Sequence, residues 1–571
     1  MTAALFARAQ GLHQAGRAEE ARALYEQVLG ADPRHAEALH LLGYLWFQKG
    51  DAGRALDLIG RAIALQPNNP GYRYNRGLIL QQAGHLADAA EDFRQVAALQ
   101  PADGGAWESL GETLLTLGRA EQALTAYDRA IALRPGEAAL RSNQGVALRR
   151  LGRLDEALAA QDKALALDPR YAEGWSNRGN VLKDLDRLDD ALESYDRALQ
   201  FAPRMVEAAV NRANVLRDLA RLPEALADYD RAIALQPAYP EAHHHRAILS
   251  MDLQRPAEAV AGFDRAIALR PEGYPEAEIA RAMALLLGGD FARGWPAYER
   301  RALAPPVRGT PWLGGEPIDG KTVLVWAEQG LGDTIQFCRY APALAQRGAR
   351  VMLQVQPPLV ALLRSLPAVE VIGADQPPPP FDHHTPLLSL PLVLGFAPAA
   401  TYLQPDPAKV QAWTGRLGPS DRKRVGLVWS GASGHRNDRH RSLPLDRLLA
   451  ALPRGFDYVS LQKDIRRADR ATLDVHAEVR HCGAELTDFS DTAALVSLMD
   501  VVVSVDTSVA HLAGALGKDT RVLLARIGQD WRWLTRRADS PWYPSMRLYR
   551  QGEDCGWDAP LAAVAGDLGQ L

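Results

Sequence analysis

In the first half of the chain, small and apolar residues recur with a period of 34 residues. Gly43, Gly77, Gly111, Gly145 and Gly179 mark one position of the cycle. Ala55, Ala89, Ala123, Ala157, Ala191, Ala225 and Ala259 follow twelve residues behind, and Pro33, Pro67, Pro101, Pro135, Pro169, Pro203, Pro237 and Pro271 close each turn of the pattern. A period of this length predicts helix-turn-helix units stacked into an α-solenoid. Small residues let the paired helices approach, large ones fill the gap, and proline ends the second helix because it has no N–H to donate. Eight units run from the start to about Glu272. A ninth, degenerate one spans Tyr274 to Glu299, with Phe291, Trp295 and Tyr298, and is expected to cap the stack.

From about Thr310 the period vanishes, and short apolar runs alternate with amphipathic stretches, which predicts α/β architecture. Strands are expected over 322–327, 350–355, 369–372, 424–429, 458–461, 501–505 and 521–524, with helices over 333–347, 444–452, 492–499 and 507–516. Two parallel sheets of this kind leave a cleft at the carboxyl ends of their strands, where ligands of such folds bind. Domain limits follow at 1–305 for the repeats, 306–415 for a first lobe and 416–571 for a second.

Composition narrows the function classes. The 65 Lys and Arg against 69 Asp and Glu leave a net charge of −4, which gives no ground for nucleic acid or an anionic membrane as main partner. Three scattered cysteines, Cys338, Cys482 and Cys555, exclude a disulfide framework and a Cys-rich zinc site. No apolar run has the length of a membrane span, the first ten residues lack a signal-peptide core, and a cytoplasmic location is expected.

One ladder stands out in the repeats. Asn75, Asn143, Asn177 and Asn211 each stand 26 residues before a repeat proline, and Asn180 and Asn214 form a second row three residues on. Carboxamides offer donor and acceptor together, so a row of them can grip the backbone of an extended peptide; they can equally bond within their own inter-helix turns. Leu41, Ser109 and His245 interrupt the row, while Lys183, Arg217, Asp184, Asp218 and Asp252 lie near it in register. Contiguous His243, His244 and His245 would point in different directions on a helix, which argues against a metal site. By Trp107-Leu110-Gly111 with Ala123-Tyr127-Ala130, the segment resembles the tetratricopeptide repeat family. By its asparagines it resembles the repeat domain of protein O-GlcNAc transferases, which implies an acceptor peptide held along the groove.

Three segments are expected at the cleft. Glu328-Gln329-Gly330-Leu331-Gly332-Asp333 is a tight turn ending in a carboxylate that caps a helix or points across the gap. The loop from Gly431 to Ser442 carries Arg436, Arg439 and Arg441, suited to a pyrophosphate or a sugar carboxylate, or else simply solvated. Val505-Asp506-Thr507-Ser508-Val509-Ala510-His511 runs from strand into helix, where free N–H groups and the positive dipole end hold phosphate without a metal. Lys463 ends a strand nearby, and His384 ends the first lobe as a reserve base near the acceptor side. From Thr310 onward no two aspartates stand two apart, so no metal-holding Asp-x-Asp motif is present and no metal or cofactor is expected.

With Asp530-Trp531-Arg532-Trp533 and Asp539-Ser540-Pro541-Trp542-Tyr543-Pro544, these motifs resemble metal-independent glycosyltransferases of the GT-B fold, which has two Rossmann-like lobes. The nearest likeness is to bacterial heptosyltransferases and to repeat-fused enzymes that modify flagellin. The resemblance implies Asp333 as catalytic base, Asp506 on sugar hydroxyls, Thr507 and His511 on phosphate, and a nucleotide-sugar donor. Ser508 stands where that pattern has glycine. The implied activity is protein O-glycosylation of Ser or Thr, with flagellin the first acceptor to consider. A non-catalytic adaptor with a relic cleft and a heptosyltransferase acting on a glycolipid remain open beside it.

Overall fold

Each early repeat folds as a helix of 13 residues followed by one of 14, as in Ala36–Gln48 and Ala52–Leu65. Three of the periodic glycines face aromatic rings on the second helix, while Gly43 faces Ile59 and Gly145 faces Gln161. A Cβ added at Gly77, Gly111 or Gly179 would stand 2.8, 2.8 or 2.7 Å from the ring of Phe93, Tyr127 or Tyr195. Those three rings are fully buried, so the small residue and the large one are two halves of one contact. Between the helices, Gly16, Gly50, Gly84, Gly118 and Gly152 adopt φ of 75, 86, 80, 74 and 73°, the left-handed cap that glycine takes without penalty. Asp186 takes the same position at φ 60°.

The turns between repeats are closed by a side chain from the following helix. Indole N–H groups of Trp107 and Trp175 donate to the carbonyls of Pro101 and Pro169 at 3.0 and 2.9 Å. In-register pairs such as Arg178–Asp162 at 2.8 Å and Arg212–Asp196 at 2.5 Å join successive repeats. Their acidic partners are more than half exposed, so they contribute little beyond register.

The computed structural model describes residues 2–301, 303–399, 401–435 and 437–571. The chain divides into two units, Met1–Leu219 and Ala220–Leu571. Among the described residues of the first, thirteen helices run from Thr2–Gln14 to Val206–Asp218, each packed on the next. The second unit opens with the helices Leu222–Leu235, Pro240–Asp252, Pro256–Ala268, Pro275–Leu287 and Phe291–Tyr298. Periodicity places the end of the repeats near residue 305, whereas packing groups these last helices with the sheets. Leu286, Leu287, Trp295 and Tyr298 are buried in one core with Val323, Val325 and Leu353.

That unit continues into two all-parallel sheets. The first contains β1 (Thr310–Pro311), β2 (Thr322–Trp326), β3 (Arg350–Val355), β4 (Val369–Gly373) and β5 (His383–Pro386), in the order β1-β5-β2-β3-β4. The second contains β6 (Arg424–Val428), β7 (Asp457–Ser460), β8 (Val479–His481), β9 (Val501–Val505), β10 (Thr520–Leu524) and β11 (Met546–Arg550), in the order β11-β10-β9-β6-β7-β8. Chain direction across the sheet reverses between β6 and β9, which opens a crevice at their carboxyl ends. The Arg-rich loop follows β6, and Asp506-Thr507 follows β9.

The architecture is therefore a tetratricopeptide α-solenoid followed by α/β layers. The expected helix over 333–347 is broken into Leu331–Phe337, a 3-10 turn Cys338–Tyr340 and Ala341–Ala345, because Pro342 cannot continue the ladder. Among the described residues, no helix is long and apolar enough to cross a membrane.

Candidate functional site

β9 is fully buried and leads through Asp506 and Thr507 into the helix Ser508–Ala515. Thr507 is extended, at φ −144° and ψ 169°, and its hydroxyl lies 3.2 Å from Ser504 Oγ. No side chain caps the helix, and its first backbone bonds, from Ala510 and His511, return to the Thr507 carbonyl. Ser508 and Val509 thus begin the helix half-exposed, with the positive end of the dipole beside them.

Arg441 reaches this point from the loop after β6. Its guanidinium lies directly over Gly431, where a Cβ would push it aside, and Nη1 donates to the Asp506 carbonyl at 3.3 Å. Arg466 ties the loop down, bonding both oxygens of Asp438 at 2.8 and 2.7 Å and Ser442 Oγ at 2.9 Å. Arg439 lies on the same short turn, Asp438–Arg441. Arg436 lies outside the described residues.

The turn after β2 meets the Ser508 helix directly. A Cβ on Gly332 would come 2.9 Å from His511 Cδ2 and 3.4 Å from Ser508 Cα, so only glycine permits this approach. His511 is buried, stacks on Trp533 at 5.2 Å and 16°, and has Nδ1 3.1 Å from the Tyr543 hydroxyl. Burial, followed by the nearby Arg532, pushes its pKa down to about 3, so the imidazole is neutral at physiological pH. In the tautomer in which Tyr543 donates to Nδ1, Nε2 carries the proton on the side facing Gly332.

Asp333, half-buried on the helix Leu331–Phe337, accepts from the Gly330 N–H at 2.8 Å with one oxygen and pairs with Arg532 through the other. Arg532 is 3% exposed and also bonds both oxygens of Asp530, at 2.9 and 2.8 Å. Its guanidinium lies 4.4 Å from the Trp531 ring and 5.4 Å from that of Phe337. Burial raises the Asp333 pKa against the opposing pull of Arg532. Asp530 is also penalised by burial, but Arg532 and its backbone N–H hold that carboxyl below the usual range. Asp506 moves the other way, up to about 7, through burial and then the Asp530 charge. Three carboxyl groups therefore share one guanidinium: Asp333 and Asp530 pair with Arg532 directly, and Asp506 does not.

A raised carboxyl pKa contributes stability that is complete below its unfolded value and is lost as pH rises through the folded value. Asp506→Asn is thus expected to gain stability relative to the parent protein as pH rises from about 5.5 to 8.5. Urea midpoints at the two pH values check this; a constant difference would contradict the assignment.

Other expected residues lie elsewhere. Lys463 is exposed, with Nζ 3.4 Å from the Thr487 carbonyl. His384 is buried on β5, accepts from the Trp326 indole at 3.3 Å and packs on Phe381, so the structure does not bring it to Asp333. The asparagine side chains are half-buried, and Asn75, Asn177 and Asn211 bond across repeats. Asn75 meets His40 at 2.8 Å, Asn177 donates to Ser142 at 3.0 Å, and Asn211 donates to Asn180 at 3.1 Å. Asn180 Oδ1 also accepts from the Tyr195 hydroxyl at 2.7 Å. Asn143 and Asn214 occupy the same register positions and are likewise half-buried.

Sequence reasoning assigned no role to Arg532, Asp530 or Tyr543, although the Asp530-Trp531-Arg532 run carried the signal. It also missed Glu328, two residues past β2, which pairs with Arg301 at 2.9 Å and accepts from the Leu387 and Leu388 N–H groups at 3.1 Å each.

Comparisons bear chiefly on the repeats. Tetratricopeptide repeat families match residues 6–70 and 110–172, residues 42–108 and residues 172–205, and a TPR repeat family matches residues 213–254. Protein FlbA of Caulobacter vibrioides is 29% identical over 330 residues, 51% of this chain and 54% of that protein. The chain thus spans about half the length of this curated relative. Among solved structures, a tetratricopeptide repeat protein from Parabacteroides merdae shares 18% identity over 44% of this chain and 98% of its own, with a TM-score of 0.40. The APC/C hetero-tetramer Cut9-Hcn1 matches 49% of this chain and 55% of that one at 19% identity and a TM-score of 0.37. MamA from Desulfovibrio magneticus matches 30% of this chain and 96% of its own at 22% identity and a TM-score of 0.29. Over residues 6–205 and 213–254 the chain is built of tetratricopeptide repeats.

Proposed function

We propose that the protein is a metal-independent protein O-glycosyltransferase, whose repeats hold an acceptor chain while the α/β crevice transfers a sugar from a nucleotide donor. The observation that carries this reading is the approach of Gly332 to His511 and Ser508, which sets an aspartate and an uncapped helix N-terminus at one crevice. The N–H groups of Ser508 and Val509, with Arg441 and His511 Nε2–H, would receive the diphosphate. Asp333, its basicity raised by burial, would take the proton of a Ser or Thr hydroxyl as that oxygen attacks the anomeric carbon. The bond from that carbon to the diphosphate breaks, the negative charge passes to the nucleotide, and the simplest outcome is inversion. Arg532 opposes the effect of burial on Asp333 and would aim the carboxyl before the acceptor arrives.

Flagellin is the first acceptor to try, on resemblance alone. Intact-mass analysis of flagellin co-expressed with the protein should show an added sugar; an unchanged mass for flagellin and other candidate clients would overturn the reading. The asparagine rows support the acceptor half of it. Asn177 and Asn211 each spend a donor on a neighbour, which leaves their carbonyls for a bound backbone. The Asn177→Ala, Asn211→Ala double variant is expected to raise the acceptor KM about tenfold, near 0.5–1.5 kcal/mol per lost bond, with the donor KM unmoved. Equal changes in both constants would contradict peptide binding on this row.

One observation favours a second reading, a nucleotide-sensing adaptor without catalysis: both Asp333 oxygens already have partners. An Asp333→Asn variant separates the two readings.

A further inference from the structure

Building on the proposed reading of the crevice, the structure assigns Asp252 a positioning role: a repeat helix holds the segment that presents Arg532 and the loop that presents Arg441. Asp252 is the last residue of the helix Pro240–Asp252 and is 3% exposed. Its Oδ1 accepts from the Gly528 N–H at 2.8 Å. Gly528 lies beyond β10 and two residues before Asp530, in the segment that turns at Trp531–Trp533.

The other side of the same residue holds the Arg-rich loop. Asn437 Nδ2 donates to the Ile527 carbonyl at 2.8 Å and to the Gly528 carbonyl at 3.2 Å. Gly528 has φ +64°, and a Cβ there would come 2.6 Å from Asn437 Cγ, so the position requires glycine twice over. Asn437 stands at the start of the turn Asp438–Arg441, which carries Arg441 to the Asp506 carbonyl. One repeat carboxylate, one glycine and one carboxamide therefore form a bonded chain from the repeats to the crevice.

A second contact reinforces it. The helix Pro275–Leu287 packs on the turn Trp531–Trp533, and the rings of Trp295 and Tyr298 stand 5.3 and 6.2 Å from that of Trp531. The late repeats thus buttress the segment that holds Arg532 against Asp333. Removing the Asp252 acceptor leaves the Gly528 N–H unpaired and frees both ends of the chain.

Hydrogen exchange on the full-length protein tests this. In Asp252→Ala, amides of residues 525–533 and 430–442 are expected to exchange roughly tenfold faster, with β2 and β3 unchanged, while Asp252→Asn, which keeps an acceptor oxygen, stays close to the parent. Unchanged exchange in both segments, or an Asn variant as loose as the Ala one, overturns the assignment. Should Asp252→Ala fail to fold, Asn437→Ala cuts the chain at its far end. It should loosen residues 430–442 alone, and unaltered exchange there counts against the proposal.

Calorimetry with ADP, GDP, UDP, CDP and dTDP reads the functional half. Asp252→Ala is expected to bind the preferred nucleoside diphosphate about tenfold more weakly, and equal affinity overturns the role. A parent protein that binds none of the five overturns the crevice reading instead, leaving the exchange result to stand on its own.

Discussion

Replacing Arg532 by alanine is expected to lower the unfolding free energy of the unit Ala220–Leu571 by about 3–5 kcal/mol near neutral pH. The size follows from what is stranded. Arg532 pairs with Asp333 and with both oxygens of Asp530 in a site from which water is largely excluded, and its loss leaves two carboxylates facing each other without compensation. The cost should also depend on pH. Without the guanidinium, both carboxyl pKa values rise in the folded state, so the stability they contribute is intact at low pH and lost as pH climbs through the raised values. Denaturation midpoints for parent and variant at about pH 4.5 and pH 7 should therefore diverge with rising pH. A loss under roughly 1 kcal/mol at both would mean the triad is held by its surroundings rather than by charge.

The second large effect concerns chemistry. Asp333→Asn is expected to slow sugar transfer by about 10²–10⁴-fold, the range for removal of a general base, while nucleoside diphosphate affinity stays near that of the parent. The substitution is nearly isosteric and can still accept from the Gly330 N–H, so the turn should survive it. Accumulation of modified client at the parental rate would remove Asp333 from the mechanism and favour another base. A client never modified by either protein would favour the sensing adaptor.

Much of the architecture is written locally. The glycines that set the 34-residue period each oppose the side chain sixteen residues on, an aromatic ring at Gly77, Gly111 and Gly179, within one helix pair, so periodicity alone reveals the contact. The strands β2, β3, β6, β9 and β10 are mostly apolar runs, as strands covered on both faces tend to be. Short strands escaped notice: β5, inside the first sheet, carries two histidines and a proline in four residues, and β8, at an edge of the second, has three residues with only one buried. At the crevice, the Gly332 turn and the Thr507 helix were legible because each is a contiguous motif with its own geometry. Arg532 was not, since it reaches Asp333 across 199 residues of sequence and no local pattern encodes that meeting. Asp252 was hidden for the same reason: in register it reads as one more groove acid, yet its partner is a backbone N–H 276 residues away.

The indole clasps at Pro101 and Pro169 give the array a built-in reporter. Because Trp107 and Trp175 sit astride the joints between neighbouring repeats, any bending that accommodates cargo must stretch or release those two N–H bonds. A change in their emission, against the background of the other ten tryptophans, would then accompany loading of the array, with no label attached.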